Sequence, residues 1–303
     1  MSDAMMNTEA LHGVFPPIFT PFKENGDVDY RSFVSNIGKW NDTALRGYVV
    51  LGSNGETAYL SGKEKLELVR LAVEHRAGDK TVIVGTGLES TRETIRLTED
   101  VAAIGADAAL VLTPSFYRSR MDDRALIAHY STVANNARIP VLLYNVPKFT
   151  GLNVSADLVR EVSAHPNITG MKDSSGNVAQ LVEFQSVADA EFAIMVGTAS
   201  VWFPALCLGV GGGVLALANI APDECVEIQR LYESGNTQAA EEIYRRLLPV
   251  NTAITAIYGP AGLKYAAGLL GYAAGTVRQP LSPLTETEKD ELRAALVRAG
   301  LLS

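Results

Sequence analysis

The sequence predicts an α/β fold, a (β/α)8 TIM barrel with a C-terminal helical extension. Eight short runs rich in apolar and β-branched residues recur along the chain, and most segments between them carry a helical period. The length fits the same frame, since 303 residues is long for an average domain but ordinary for one barrel with an appendage. A doubly wound sheet is the alternative, but it needs no eighth repeat.

The strand runs fall at 13–20, 47–52, 81–87, 108–113, 140–146, 168–172, 193–198 and 213–218. Tyr48-Val49-Val50-Leu51 and Val141-Leu142-Leu143-Tyr144 are almost continuously apolar, as suits strands covered on both faces. Between strands two and three, 63–75 places Leu66, Val69, Leu71 and Val73 among charged residues. The next segment, 91–104, does the same with Ile95, Leu97 and Val101 beside Glu93 and Arg96. In 155–163, Leu158, Val159 and Val162 follow Ser155, a good N-cap residue. After the eighth run the pattern turns wholly helical, at 222–248, 262–270 and 286–299. The expected division is a barrel over 8–222 and a helical region over 223–303 packed on it, with no flexible linker between.

Composition narrows the function. Hydrophobic residues make up 47% and charged residues 20%, enough apolar material for a large core. The net charge of −8, without a basic run, argues against nucleic acid or an anionic membrane as partner. Residues 1–12 have neither a basic n-region nor an apolar h-region, and no apolar stretch reaches the length of a membrane span, so a cytoplasmic protein is expected. Cys207 and Cys225 are the only cysteines; they make no disulfide framework and read as small buried hydrophobes. His12, His75, His129 and His165 lie far apart, with no metal-ligand spacing on one helix, so no metal site is expected.

The chemistry centres on Lys172, at the end of the sixth run, in Gly170-Met171-Lys172-Asp173-Ser174. An ammonium on a buried strand is costly to desolvate. Desolvation favours the neutral amine, which can attack a carbonyl carbon to form an imine. In barrels the site lies at the C-terminal strand ends. Tyr144 ends the fifth run, next to the sixth, and a tyrosine hydroxyl there can shuttle protons. Gly52-Ser53-Asn54-Gly55 ends the second run; its N–H groups and small polar side chains can hold a carboxylate, and it lacks the spacing of a phosphate loop. Glu56 is read as a cap on the segment that follows; Arg118 and Arg120, just after the fourth run, could meet a substrate carboxylate or be solvated loop charges, and the second reading is preferred.

With these residues placed, the chain resembles the dihydrodipicolinate synthase/N-acetylneuraminate lyase family over nearly its whole length. The motifs are Pro17-Ile18-Phe19-Thr20-Pro21-Phe22, Gly52-Ser53-Asn54-Gly55-Glu56, Tyr144-Asn145-Val146-Pro147 with Gly151 close behind, the segment around Lys172, and the glycine-rich eighth strand. The resemblance implies a barrel with C-terminal helices, a homotetramer (a dimer of dimers), and cleavage or condensation of 2-oxo acids through pyruvate held as a Schiff base. No separate cofactor is implied, only the covalent imine on Lys172. Tyr144 would be the proton relay, Ser53 and Asn54 would grip the keto-acid carboxylate, and Gly197 and the backbone at Leu215 would line the pocket.

Two positions depart from the synthase pattern. Phe149 stands where those synthases usually carry an arginine, and Phe116, followed by Tyr117, stands where they deliver a tyrosine across the dimer interface. The segments at 52–56, 113–121, 165–176 and 259–272 look most like the 4-hydroxy-2-oxoglutarate aldolases, which yield pyruvate and glyoxylate. In that branch Ser174, two past the lysine, also belongs to the site. The expected activity is therefore a class I pyruvate-dependent aldolase acting on 4-hydroxy-2-oxoglutarate. The alternatives are the synthase, which joins pyruvate to aspartate semialdehyde, a 3-deoxy-2-oxo sugar acid aldolase or dehydratase, and a non-catalytic keto-acid binding protein.

Overall fold

Eight strands alternate with helices in the computed structural model, which describes residues 8–303. The strands follow one another around the sheet in chain order, as in a (β/α)8 barrel. The first seven residues, part of the stretch read for a leader, lie outside the described residues. Contacts divide the chain into two compact units, one of Thr81–Val214 with the stretch up to His12, the other of Gly13–Lys80 with Leu215–Ser303.

The first unit holds β3 (Thr81–Gly85), β4 (Ala108–Leu112), β5 (Val141–Asn145), β6 (Ile168–Asp173), β7 (Ala193–Val196) and β8 (Gly212–Val214), each paired in parallel with the next. Its helices are α3 (Thr91–Ile104), α4 (Asp123–Asn136), the short α5 (Pro147–Thr150), α6 (Ala156–Ser163), α7 (Val178–Val187) and α8 (Trp202–Cys207). Every residue of β5 is buried, which explains its unbroken apolar run. Val111, Leu126, Tyr130, Val133, Leu143, Leu158, Val162 and Phe184 form one core cluster under α4, α6 and α7. Burying each large apolar side chain of this kind contributes roughly 1.5–3 kcal/mol. Ser90, Asp122, Ser155 and Asn177 cap their helices by accepting N–H groups of the first turn.

The second unit holds β1 (Gly13–Phe15), α1 (Tyr30–Asn41), β2 (Gly47–Val50) and α2 (Gly62–His75), with α9 (Pro222–Glu233), α10 (Thr237–Thr252), α11 (Gly259–Leu269) and α12 (Glu286–Arg298). Trp40 of α1 is fully buried; its indole N–H donates to the Asn219 carbonyl at 3.2 Å, and its ring stacks on Tyr272 with centroids 5.5 Å apart. The stretches around Asn219 and Tyr272 thus share a core with α1.

Four expectations need correction. The first strand run stops at Phe15, because Pro16 and Pro17 have no N–H for a ladder; only an isolated bridge from Pro17 to Val49 continues it. The eighth ends at Val214, and Leu215 opens a 3₁₀ turn, Ala216–Asn219. The stretch 222–248 is two helices, parted at Gly235 with φ +85°. Cys225 is buried, but Cys207 is exposed at the end of α8.

Candidate active site

In the first unit, parallel pairing puts Tyr144 of β5 directly opposite Lys172 of β6 and Asn145 opposite Asp173. Lys172 is 3% and Tyr144 6% exposed, and the Lys172 Nζ lies 4.0 Å from the centre of the Tyr144 ring. An amine and a phenol so placed can act on one carbonyl group, the first as nucleophile and the second as proton carrier. Lys172 also lies opposite Met195 of β7, and Gly197 follows that strand, its N–H donating to the Asp173 carbonyl at 2.6 Å. A Cβ at Gly197 would stand 1.8 Å from the Ser174 Oγ and 2.9 Å from the Lys172 Cε, so only glycine leaves room for both side chains. The Ser174 Oγ is buried beside this gap, and its N–H donates to the Asn145 carbonyl at 2.8 Å.

The strand ends are tied by a polar network that sequence reasoning missed. The Asn145 Nδ2 donates to the Asp173 Oδ1 at 2.7 Å and to the Asn153 Oδ1 at 2.8 Å, while its Oδ1 accepts from the Val154 N–H. Asn153 and Gln180 exchange two further bonds, which reach α7. The Ser175 hydroxyl donates to the Asp173 Oδ2 at 2.5 Å. Burial pushes the Asp173 carboxyl above its ordinary range, and the Ser175 and Asn145 bonds pull it back only in part. The motifs around Tyr144 and Lys172 contain Asn145 and Asp173, but nothing in the sequence says that the two side chains meet.

Phe116, Tyr117 and Phe149 are exposed at 76%, 69% and 60%. The Phe116 and Tyr117 rings meet edge to face, with centroids 5.0 Å apart. Glu89 holds their loop by accepting from the Ser115 and Phe116 N–H groups at 2.9 and 2.8 Å. Arg118 is exposed, with its guanidinium beside Gly151, where a Cβ would fall 2.3 Å from Nη1. Each histidine is engaged locally: His75 with the Leu71 carbonyl, His129 with Thr91, His165 with Asn135, and His12 against Gly211. Among the described residues no three His, Cys, Asp or Glu side chains gather as metal ligands, and no helix is long and apolar enough to cross a membrane.

In the second unit, Ser53 and Asn54 form a 3₁₀ turn, Ser53–Gly55, just after β2. Leu51 and Glu56, at either end of it, have φ of +59° and +55°, the two non-glycine residues in the left-handed region among those described. Each costs about 1–2 kcal/mol, and strain of this kind gathers at functional sites. Glu56 makes no side-chain cap, contrary to the sequence reading; it is buried and paired with Lys264 of α11. Leu215 is fully buried, and its N–H donates to the Phe15 carbonyl at 2.9 Å.

Residues 10–299 match the model of the dihydrodipicolinate synthetase family. The chain belongs to that family. A 4-hydroxy-tetrahydrodipicolinate synthase from Methanothrix thermoacetophila is 38% identical over 97% of this chain and 98% of its own. Among solved structures, a dihydrodipicolinate synthase from Bacillus anthracis superposes with a TM-score of 0.91 at 28% identity, covering 95% of this chain and 98% of that one. A prophage protein of E. coli K12 from the dihydrodipicolinic acid synthase family, in complex with pyruvate, gives 0.90 at 28% identity, covering 96% and 99%. Family membership makes this chain an enzyme of the class I aldolase type, a carbon–carbon lyase or synthase that depends on pyruvate.

Proposed function

We propose that Lys172 forms an imine with pyruvate and that the resulting enamine adds to an aldehyde. The observation that carries this chemistry is the buried Lys172 amine, 4.0 Å from the ring of Tyr144 at paired strand ends. The Nζ attacks C2, water leaves, and the iminium draws electrons from C3 as its proton is lost. The nucleophilic C3 then bonds to the aldehyde carbon, and water frees the product and the amine. Tyr144 carries the protons of imine formation and hydrolysis. Ser53 and Asn54 hold the pyruvate carboxylate, and Ser174, Gly197 and Leu215 line the place where it sits. The covalent imine serves in place of a cofactor.

For the aldehyde, 38% identity across nearly the whole length favours the 4-hydroxy-tetrahydrodipicolinate synthase reaction, with aspartate semialdehyde as partner. This reverses the preference drawn from sequence segments, since the relatives give the 4-hydroxy-2-oxoglutarate branch no support. One observation keeps cleavage of 4-hydroxy-2-oxoglutarate as a second reading. The synthase pattern is broken on one side, where Phe149 stands in place of the usual arginine and Phe116 in place of the delivered tyrosine. The assembly in this reading is the homotetramer the resemblance implies.

Borohydride reduction with pyruvate, followed by mass spectrometry, tests the imine. An adduct on Lys172, absent in a folded Lys172→Ala protein, is expected; an unmodified Lys172 overturns the reading. Turnover of pyruvate plus aspartate semialdehyde, set against pyruvate release from 4-hydroxy-2-oxoglutarate, decides between the aldehydes.

A further inference from the structure

We propose that the buried Glu56–Lys264 pair positions the Ser53–Asn54 turn, so that α11 sets how tightly the enzyme holds the carboxylate of its 2-oxo acid. This rests on the role given above to Ser53 and Asn54. The Glu56 Oε1 lies 2.5 Å from the Lys264 Nζ, with both side chains 2% exposed or less. The Glu56 Oε2 accepts the Arg278 backbone N–H at 2.9 Å. Lys264 is anchored independently of Glu56: its Nζ donates to the Thr276 carbonyl at 2.7 Å and sits 4.3 Å from the centre of the Phe22 ring. On the other side of the turn, the Thr20 Oγ1 donates to the Gly55 carbonyl at 2.8 Å.

The pair has no part in the proposed chemistry, and a buried ion pair is seldom worth more stability than an apolar pair of the same shape. Its value here is geometric. Glu56 sits in a left-handed conformation immediately after Ser53-Asn54-Gly55, and such backbone persists only where its surroundings over-determine it. Lys264 and the Arg278 N–H supply that determination from beyond residue 259. The turn that carries Ser53 and Asn54 after β2 is thereby pinned to the C-terminal region.

The test is the double variant Glu56→Gln/Lys264→Met, which leaves neither charge buried alone. It is expected to fold, with a melting point near that of the wild type. Its KM for pyruvate is expected to rise at least about tenfold with kcat within about twofold, the signature of lost ground-state binding. The Lys172 adduct should fall at low pyruvate and recover at saturation. A folded double variant with the wild-type pyruvate KM overturns the proposal, as does a fall in kcat at unchanged KM. If the double variant does not fold, Thr20→Val decides: a raised pyruvate KM supports the positioning of the turn, and an unchanged one overturns it. If the wild-type chain forms no pyruvate adduct on Lys172, the functional reading fails first and this inference falls with it.

Discussion

At the scale of single residues, the setting of Lys172 depends on an atom that is absent. Gly197 leaves the space a Cβ would take from the Lys172 Cε and the Ser174 Oγ. Gly197→Ala is therefore expected to abolish most of the borohydride-trapped pyruvate adduct in a folded protein; a wild-type yield by mass spectrometry would refute the steric argument. His129 gives a pH signature. Burial pushes its ring down to about 4, against a smaller opposing effect of Glu89, and its Nδ1 meets the Thr91 hydroxyl at 2.8 Å. The folded protein keeps the ring neutral while the unfolded chain takes a proton near pH 6.5. Stability from this group is thus full above that pH and lost as pH falls toward 4. Between pH 7 and 5 the loss is about 2 kcal/mol. Glu64, held down to about 2 chiefly by Arg278, loses its contribution only at lower pH. Urea midpoints at pH 7 and 5 should differ less in His129→Gln than in the wild type.

At the scale of elements, the site is a matter of register. The sequence supplied strands five and six and the residues at their ends, but pairing Tyr144 with Lys172 needed the parallel register, with its irregularity between Val141 and Leu142. Asn145 is the tie: fully buried, it joins Asp173, Asn153 and Val154. Asn145→Leu would take the acceptor from the Val154 N–H and leave the Asp173 Oδ1 only the 3.3 Å bond from the Ser175 N–H, at about 1–3 kcal/mol. It is expected to lower kcat as well as the denaturation midpoint, because the ends of β5 and β6 lose their shared lock. A variant with both values unchanged would show the network to be idle. The helix start at Ser155 was legible because capping is local chemistry. The break at Gly235 was not, since apolar periodicity runs through a short turn without a change of phase.

At the scale of the whole molecule, the C-terminal region is part of the fold that carries the Ser53–Asn54 turn. Arg278 donates to Glu64 and to the Gly26 and Tyr59 carbonyls, and α12 buries Leu292 and Leu296 completely. A chain ending at 277 is expected to lose its cooperative thermal transition; a sharp melt like that of the full chain would show these contacts to be dispensable. By itself the sequence determined the alternation of strand and helix, and placed Tyr144 and Lys172 at the ends of consecutive strands. Those follow from periodicity and from residue types at strand ends, which are local. Only the tertiary structure decided that Glu56 is an ion-pair partner rather than a cap, that Gly197 is a steric necessity, and that Asn145 and Asp173 share a bond. The reason is physical: each is a contact between residues tens to hundreds of positions apart, set by how strands pair and helices pack, and no local pattern encodes the other half of such a contact.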